Sequence, residues 1–179
     1  MSLKGSRTVS AYIQWNEAQA LILKLERDKN TRYALLVATG IYTGLRVGDI
    51  LTLQWEQLDG QSFTVKEGKT GKTRTVTVNN DLRAIVARLR GLQSGLIFRI
   101  GRQQINRELK VIAFRYKIKG NISTHSLRKT FGRHVWEVND CSDRALIMLS
   151  KIFNHTSTEV TRTYLGITSQ EIADIYTSL

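Results

Sequence analysis

The chain has 179 residues, a length that suits one domain with a single core, and its 41% hydrophobic and 23% charged residues are the balance of an ordinary soluble globular protein. Its 27 Lys and Arg against 15 Asp and Glu give a formal charge of +12, which favours a polyanionic partner because each phosphate contact releases condensed counterions. The single cysteine, Cys141, excludes an intramolecular disulfide and a cysteine-based zinc site, and no apolar run approaches the ~18 residues of a membrane helix. The polar first ten residues lack a signal-peptide core, so the expected location is the cytoplasm, with no membrane partner.

In chain order, Asn16 is placed to cap a helix over 17–28, with Gln19 in capping-box position and Ala20, Leu21 and Leu25 on one face. A second helix spans 31–42, Gly44 breaks it, and a short helix follows from Val47 to Leu53. Then the period changes. Ser62–Lys66 and Thr73–Val78 alternate, are rich in Thr and Val, and flank a Gly-containing turn, which predicts a β-hairpin. Asn79 or Asn80 caps a helix to about Arg90, and Leu96–Phe98 reads as a third short strand. Helices are expected at about 102–117, 124–138, 142–152 and 156–164, and Ile172, Ile175, Tyr176 and Leu179 form a helical stripe in the tail. The fold class is α+β: a mostly helical single domain with a small three-stranded antiparallel sheet. Its expected divisions are a leader or N-terminal extension over 1–13, a catalytic domain over 14–167, and a tail helix over 168–179.

Four separated segments carry chemically useful groups. Thr43-Gly44-Leu45-Arg46 sets an arginine just after a glycine turn, where a planar guanidinium can meet a phosphate with two hydrogen bonds. Lys69 stands on the hairpin tip Glu67–Lys72, and a lysine desolvated beside arginines can donate a proton. His125 and Arg128 are three residues apart on one helical face, whose start Ser123 or Thr124 can cap. Tyr164 follows His155 by nine residues, and a phenol of pKa near 10 needs neighbouring cations or a base to act as a nucleophile. Taken singly, each has a plainer explanation: a surface arginine after a helix cap, a solvated hairpin tip, a chance His-x-x-Arg pair, a core aromatic.

Together and in order, Arg46, Lys69, His125, Arg128, His155 and Tyr164 resemble the signature of the tyrosine recombinases, the phage integrase family, over residues 14–167 or so. The resemblance implies a site-specific recombinase catalytic domain that cuts one DNA strand with Tyr164 and holds it as a 3′-phosphotyrosyl link. On this reading Arg46 and Arg128 clamp the phosphate, His125 completes the cradle, His155 hydrogen-bonds a phosphate oxygen, and Lys69 protonates the departing 5′-oxygen. Asp49 stands where the family often has a carboxylate, and is expected to orient the site from behind. No metal or other cofactor is expected; no phosphate-binding Gly-rich loop with Lys-Ser/Thr and no acidic cluster for two Mg²⁺ stands in the sequence. The implied partners are double-stranded DNA, a synaptic tetramer formed on DNA by a chain that is monomeric without it, and accessory DNA-bending proteins. Integration or excision of a mobile element is the expected role.

This sequence departs from the family pattern in three places. Asn154 replaces the usual Gly before the second histidine, and Lys151-Ile152-Phe153 replaces a Leu-rich stretch. The 27 residues from Arg128 to His155 imply an enlarged turn around Asn139–Asp143. The family's N-terminal DNA-clamping domain has no counterpart in residues 1–13, which suggests an excised catalytic domain. Two rival readings stay open here: a type IB topoisomerase-like relaxing enzyme, and a non-catalytic DNA-binding regulator.

Overall fold

The computed structural model describes residues 9–91, 93–167 and 177. It has two compact units, Met1–Phe131 and Gly132–Leu179, and the division falls inside a helix rather than in a linker. Among the described residues, no helix is long and apolar enough to cross a membrane.

The first unit is organised on α2 (Thr31–Thr43), in which every residue from Tyr33 to Ile41 is buried. A helix apolar on all sides must be enclosed. The buried faces of α1 (Trp15–Arg27: Ala18, Leu21, Ile22, Leu25) and α5 (Asn80–Arg90: Leu82, Ile85, Val86) pack on it. Gly40 admits the start of α7 (Thr124–Glu137), since a Cβ there would lie 2.7 Å from that of Leu127. Asn79 caps α5 as expected, its side chain accepting the Leu82 amide. The hairpin pairs β1 (Ser62–Lys66) with β2 (Thr73–Thr77) in antiparallel register, Ser62 opposite Thr77, and turns Phe63, Val65 and Val76 into the core. Short helices α3 (Val47–Ile50) and α4 (Trp55–Asp59) lead into it, and α6 (Arg102–Arg115) follows α5.

The second unit holds the end of α7, α8 (Asp143–Phe153) and α9 (Thr158–Leu165). Gly132 leaves room for Leu165 and Phe153; a Cβ there would sit 2.4 Å from Leu165 Cδ2. The enlarged turn is present, with Asp140 and Cys141 in left-handed conformation between α7 and α8.

Several expectations are corrected. The described sheet has two strands, not three. Leu96 forms only an isolated bridge to Gln54, and the left-handed Gly95 before it stops a ladder from extending. Asn16 does not cap α1, which begins at Trp15, and Gln19 instead donates to the Tyr42 hydroxyl. Helix α4 has no counterpart in the sequence reading; its length of five residues is too short to show a helical period. Helix α9 begins later than expected because Ser157 is extended and caps it through the Val160 amide. The tail helix over 168–179 lies outside the described residues, apart from Thr177.

Gly44 closes α2 in left-handed conformation, with φ 60° and its amide on the Gly40 carbonyl. A Cβ there would also lie 2.4 Å from the Phe131 ring. Gly44→Ala therefore combines backbone strain with overpacking and is expected to cost about 2–4 kcal/mol of stability, measured by urea unfolding. A loss below about 0.5 kcal/mol, the scale of a neutral surface change, would contradict the packing described.

Candidate active site

Four of the six predicted site residues line one cleft in the first unit. Arg46, Lys69, His125 and Arg128 come from the end of α2, the hairpin tip and the first turns of α7, and share a space of about 640 Å³. Lys66 and Arg102 also line it, so among the described residues five cationic side chains face one lining carboxylate, Asp49. An excess of one sign in a walled cleft concentrates the field on the opposite charge. The charge lining this cleft is of the sign that attracts anions.

The two arginines predicted for the site each have an identifiable support. Arg128 is only 3% exposed, and its Nη1 donates to the Gly44 carbonyl oxygen at 2.7 Å. Arg46 is half-buried, and its Nη1 donates to Glu67 Oε2 at 2.7 Å. Arg74 donates to the Thr43 carbonyl at 2.7 Å and stands 4.0 Å from the other Glu67 oxygen. Burial lowers the Arg74 pKa, and Glu67 opposes that shift. Lys69 is exposed on its turn, but the residues on both sides of it are held. The Gly68 amide donates to Asp49 Oδ1 at 2.9 Å, and Thr70 Oγ1 donates to Glu67 Oε2 at 2.9 Å. Asp49, 4% exposed, thus meets the hairpin backbone.

His125 sits in the first turn of α7, its amide on Ser123 Oγ at 3.1 Å. The residue as a whole is exposed, yet the protein packed around its imidazole desolvates it. That desolvation lowers its pKa, and the charges of Arg102, Arg128, Lys129 and Lys69 lower it further. Both effects favour the neutral form of the His125 imidazole.

The other two predicted residues lie together in the second unit. The His155 and Tyr164 rings meet edge to face at 5.4 Å, and Phe153 packs on both, at 5.3 Å and 5.5 Å. His155 Nδ1 lies 2.9 Å from the hydroxyl of the fully buried Thr161. Tyr164 is half-buried rather than enclosed. Asn154 closes α8 in left-handed conformation, φ 54° and ψ 45°, and the next amide, of His155, returns to the Ser150 carbonyl. Asparagine is the usual second choice after glycine at such a cap, which accounts for the Asn at this place.

The profile of the Phage integrase family matches residues 11–171. The chain belongs to that family. It is 30% identical over 150 residues to "Probable integrase/recombinase YoeC" of Bacillus subtilis, covering 78% of this chain and 80% of the relative. The integrase of Escherichia phage P2 is 27% identical across 96% of this chain, which spans about half, 48%, of that protein. In fold, the chain is similar to the XerH site-specific recombinase in a post-cleavage complex with palindromic difH substrate: TM-score 0.70, 17% identity, 98% of this chain and 55% of that one.

Sequence reasoning missed Glu67, Arg74 and Arg102 as parts of the site. The position of Arg102 at the head of a predicted helix was a usable signal. For Glu67 and Arg74, on a charged hairpin, nothing in the local pattern distinguishes a buried charge from a solvated one.

The histidine allows a direct check. A lowered pKa means that the folded chain takes up this proton less readily than the unfolded chain, whose histidine titrates near 6.5. Stability is thus unaffected by this group above that pH and is lost as pH falls from there towards the lower folded value. In an NMR titration, the His125 ring signal is expected to have a midpoint below 6.5, and Arg102→Ala should move it upward. A midpoint at or above the ordinary value would contradict a desolvated, cation-lined setting.

Proposed function

We propose that this chain is the DNA breaking-and-rejoining domain of a site-specific recombinase, acting on double-stranded DNA through a covalent bond to Tyr164. The single observation that carries the reading is the cleft itself. Arg46, Lys69, His125 and Arg128, scattered over 83 residues of chain, line one cationic space of phosphate-accepting chemistry.

In the proposed reaction Arg46 and Arg128 hold the non-bridging oxygens of the scissile phosphate and stabilise the extra charge of its pentacovalent transition state. His125, in its neutral form, hydrogen-bonds the phosphate and accepts the phenolic proton. The Tyr164 oxygen attacks phosphorus in line, the bond from phosphorus to the 5′-oxygen breaks, and Lys69 gives that oxygen a proton. A 3′-phosphotyrosyl link and a free 5′-hydroxyl result. His155 is assigned to a phosphate oxygen, with its Nδ1 held by a hydrogen bond with the Thr161 hydroxyl. Rejoining is the reverse, with a 5′-hydroxyl attacking the link, so the phosphoester bond is conserved throughout. Asp49 supports the hairpin that bears Lys69.

Duplex DNA as the partner is supported by the +12 charge and by the DNA-bound state of the XerH structure of the same fold. Exchange between two sites needs a cut at two positions in each duplex, hence four copies, so the assembly assigned is a tetramer on DNA. Integration or excision of a mobile element is the role assigned, in keeping with the integrases among its relatives.

A pool of nicked duplexes tiled across the DNA that flanks the gene, with denaturing gels to detect protein bound covalently, tests the reading. Tyr164→Phe is expected to bind DNA with unchanged affinity and form no adduct; an adduct from that variant would place the nucleophile elsewhere. Arg128→Ala should slow adduct formation on the order of 10²–10³-fold, as for loss of one donor to a developing oxyanion. Lys69→Ala should be restored by a bridging sulfur at the 5′ position, which leaves without a proton. Failure of sulfur to restore it would remove the general-acid role.

A further inference from the structure

The geometry points to Glu67 as a positioning residue that places Arg46 and Lys69 as one unit. The inference rests on the reaction proposed above and assigns a role to a residue that touches neither DNA nor the reacting atoms.

Glu67 stands at the base of the charged hairpin tip, where a solvated side chain is the ordinary outcome, yet it is 1% exposed. A carboxylate is buried only when it is paired and hydrogen-bonded. One oxygen, Oε2, accepts from both Arg46 Nη1 at 2.7 Å and Thr70 Oγ1 at 2.9 Å. The same residue closes the turn with its backbone, its amide donating to the Lys72 carbonyl and its carbonyl accepting from Gly71. Thr70 directly follows Lys69. A single oxygen atom therefore joins the first arginine of the cleft to the turn that carries the lysine. Arg74 faces the other oxygen at 4.0 Å, so the carboxylate also separates two guanidiniums that would otherwise repel. Asp49 holds only the Gly68 side of the turn and does not supply this link.

Glu67→Gln keeps the shape and removes the charge. It is read by single-turnover cleavage on a nicked duplex that traps the Tyr164 adduct, carrying either an ordinary 5′-oxygen or a bridging sulfur. DNA affinity should stay within about twofold, since the residue is enclosed. Cleavage of the oxygen substrate should fall at least about tenfold, where misplacement by about 1 Å can cost on the order of 100-fold. The deficit should narrow severalfold with sulfur, because the share acting through Lys69 is then bypassed. In a double-mutant cycle, Glu67→Gln should add far less to Lys69→Ala than it costs alone.

Cleavage by Glu67→Gln at the parent rate would overturn the inference. So would equal slowing on the two substrates, or fully multiplicative effects in the double variant, both of which describe a general structural role. Glu67→Asp retains the charge with a shorter reach and is taken through the same cycle, with thermal unfolding as the check on folding, should the Gln variant not fold. A parent chain that yields no Tyr164-dependent adduct removes the underlying reaction and the inference with it, and it does so before any Glu67 variant is made.

Discussion

The end of α2 decides where the positive charge of the cleft can be held. A helix terminates with unsatisfied carbonyls and partial negative charge, and two guanidiniums are spent on them here: Arg74 on Thr43 and Arg128 on Gly44. That terminus depends on Gly44, whose left-handed backbone turns the chain at the point where the Phe131 ring leaves no room for a Cβ. Two residues later, Arg46 leaves the same turn and reaches Glu67. Three arginines distant in sequence are thus fixed around one bend of backbone.

Holding several like charges together is unfavourable unless each is compensated, and burial raises the cost. The structure meets this with fixed acceptors: two carbonyls and one buried carboxylate. A guanidinium has five N–H donors in a planar fork, so one arginine can serve more than one acceptor at once. The same crowding of cations lowers the pKa of His125. These charges add there to the larger effect of desolvation by the protein packed around the imidazole.

In the second unit, the pairing of His155 with Tyr164 follows from local geometry. The left-handed cap at Asn154 ends α8, Ser157 starts α9 after a short turn, and Tyr164 lies two turns into that helix. The buried Thr161 hydroxyl holds the imidazole from one side, while Phe153 packs against both rings. A half-buried phenol beside an imidazole is a chemically useful arrangement, whereas a fully enclosed ring would be a packing element only.

Much was decided by sequence alone. Period-3.6 and period-2 patterns place most of the larger helices and both hairpin strands, because these elements expose one face and bury the other. Gly44 and Asn79 mark element ends, since their backbone or side-chain chemistry is local. The order Arg46, Lys69, His125, Arg128, His155, Tyr164 was legible because each group sits beside a turn or cap with its own signature. Tertiary structure decided what depends on neighbours distant in the chain. Leu96–Phe98 has strand-forming residues but meets no strand of the hairpin. Glu67 and Arg74 look like ordinary surface charges until folding brings them to Arg46 and the end of α2. Whether a charge is solvated or buried is set by its partners, and the partner of Glu67 lies 21 residues away.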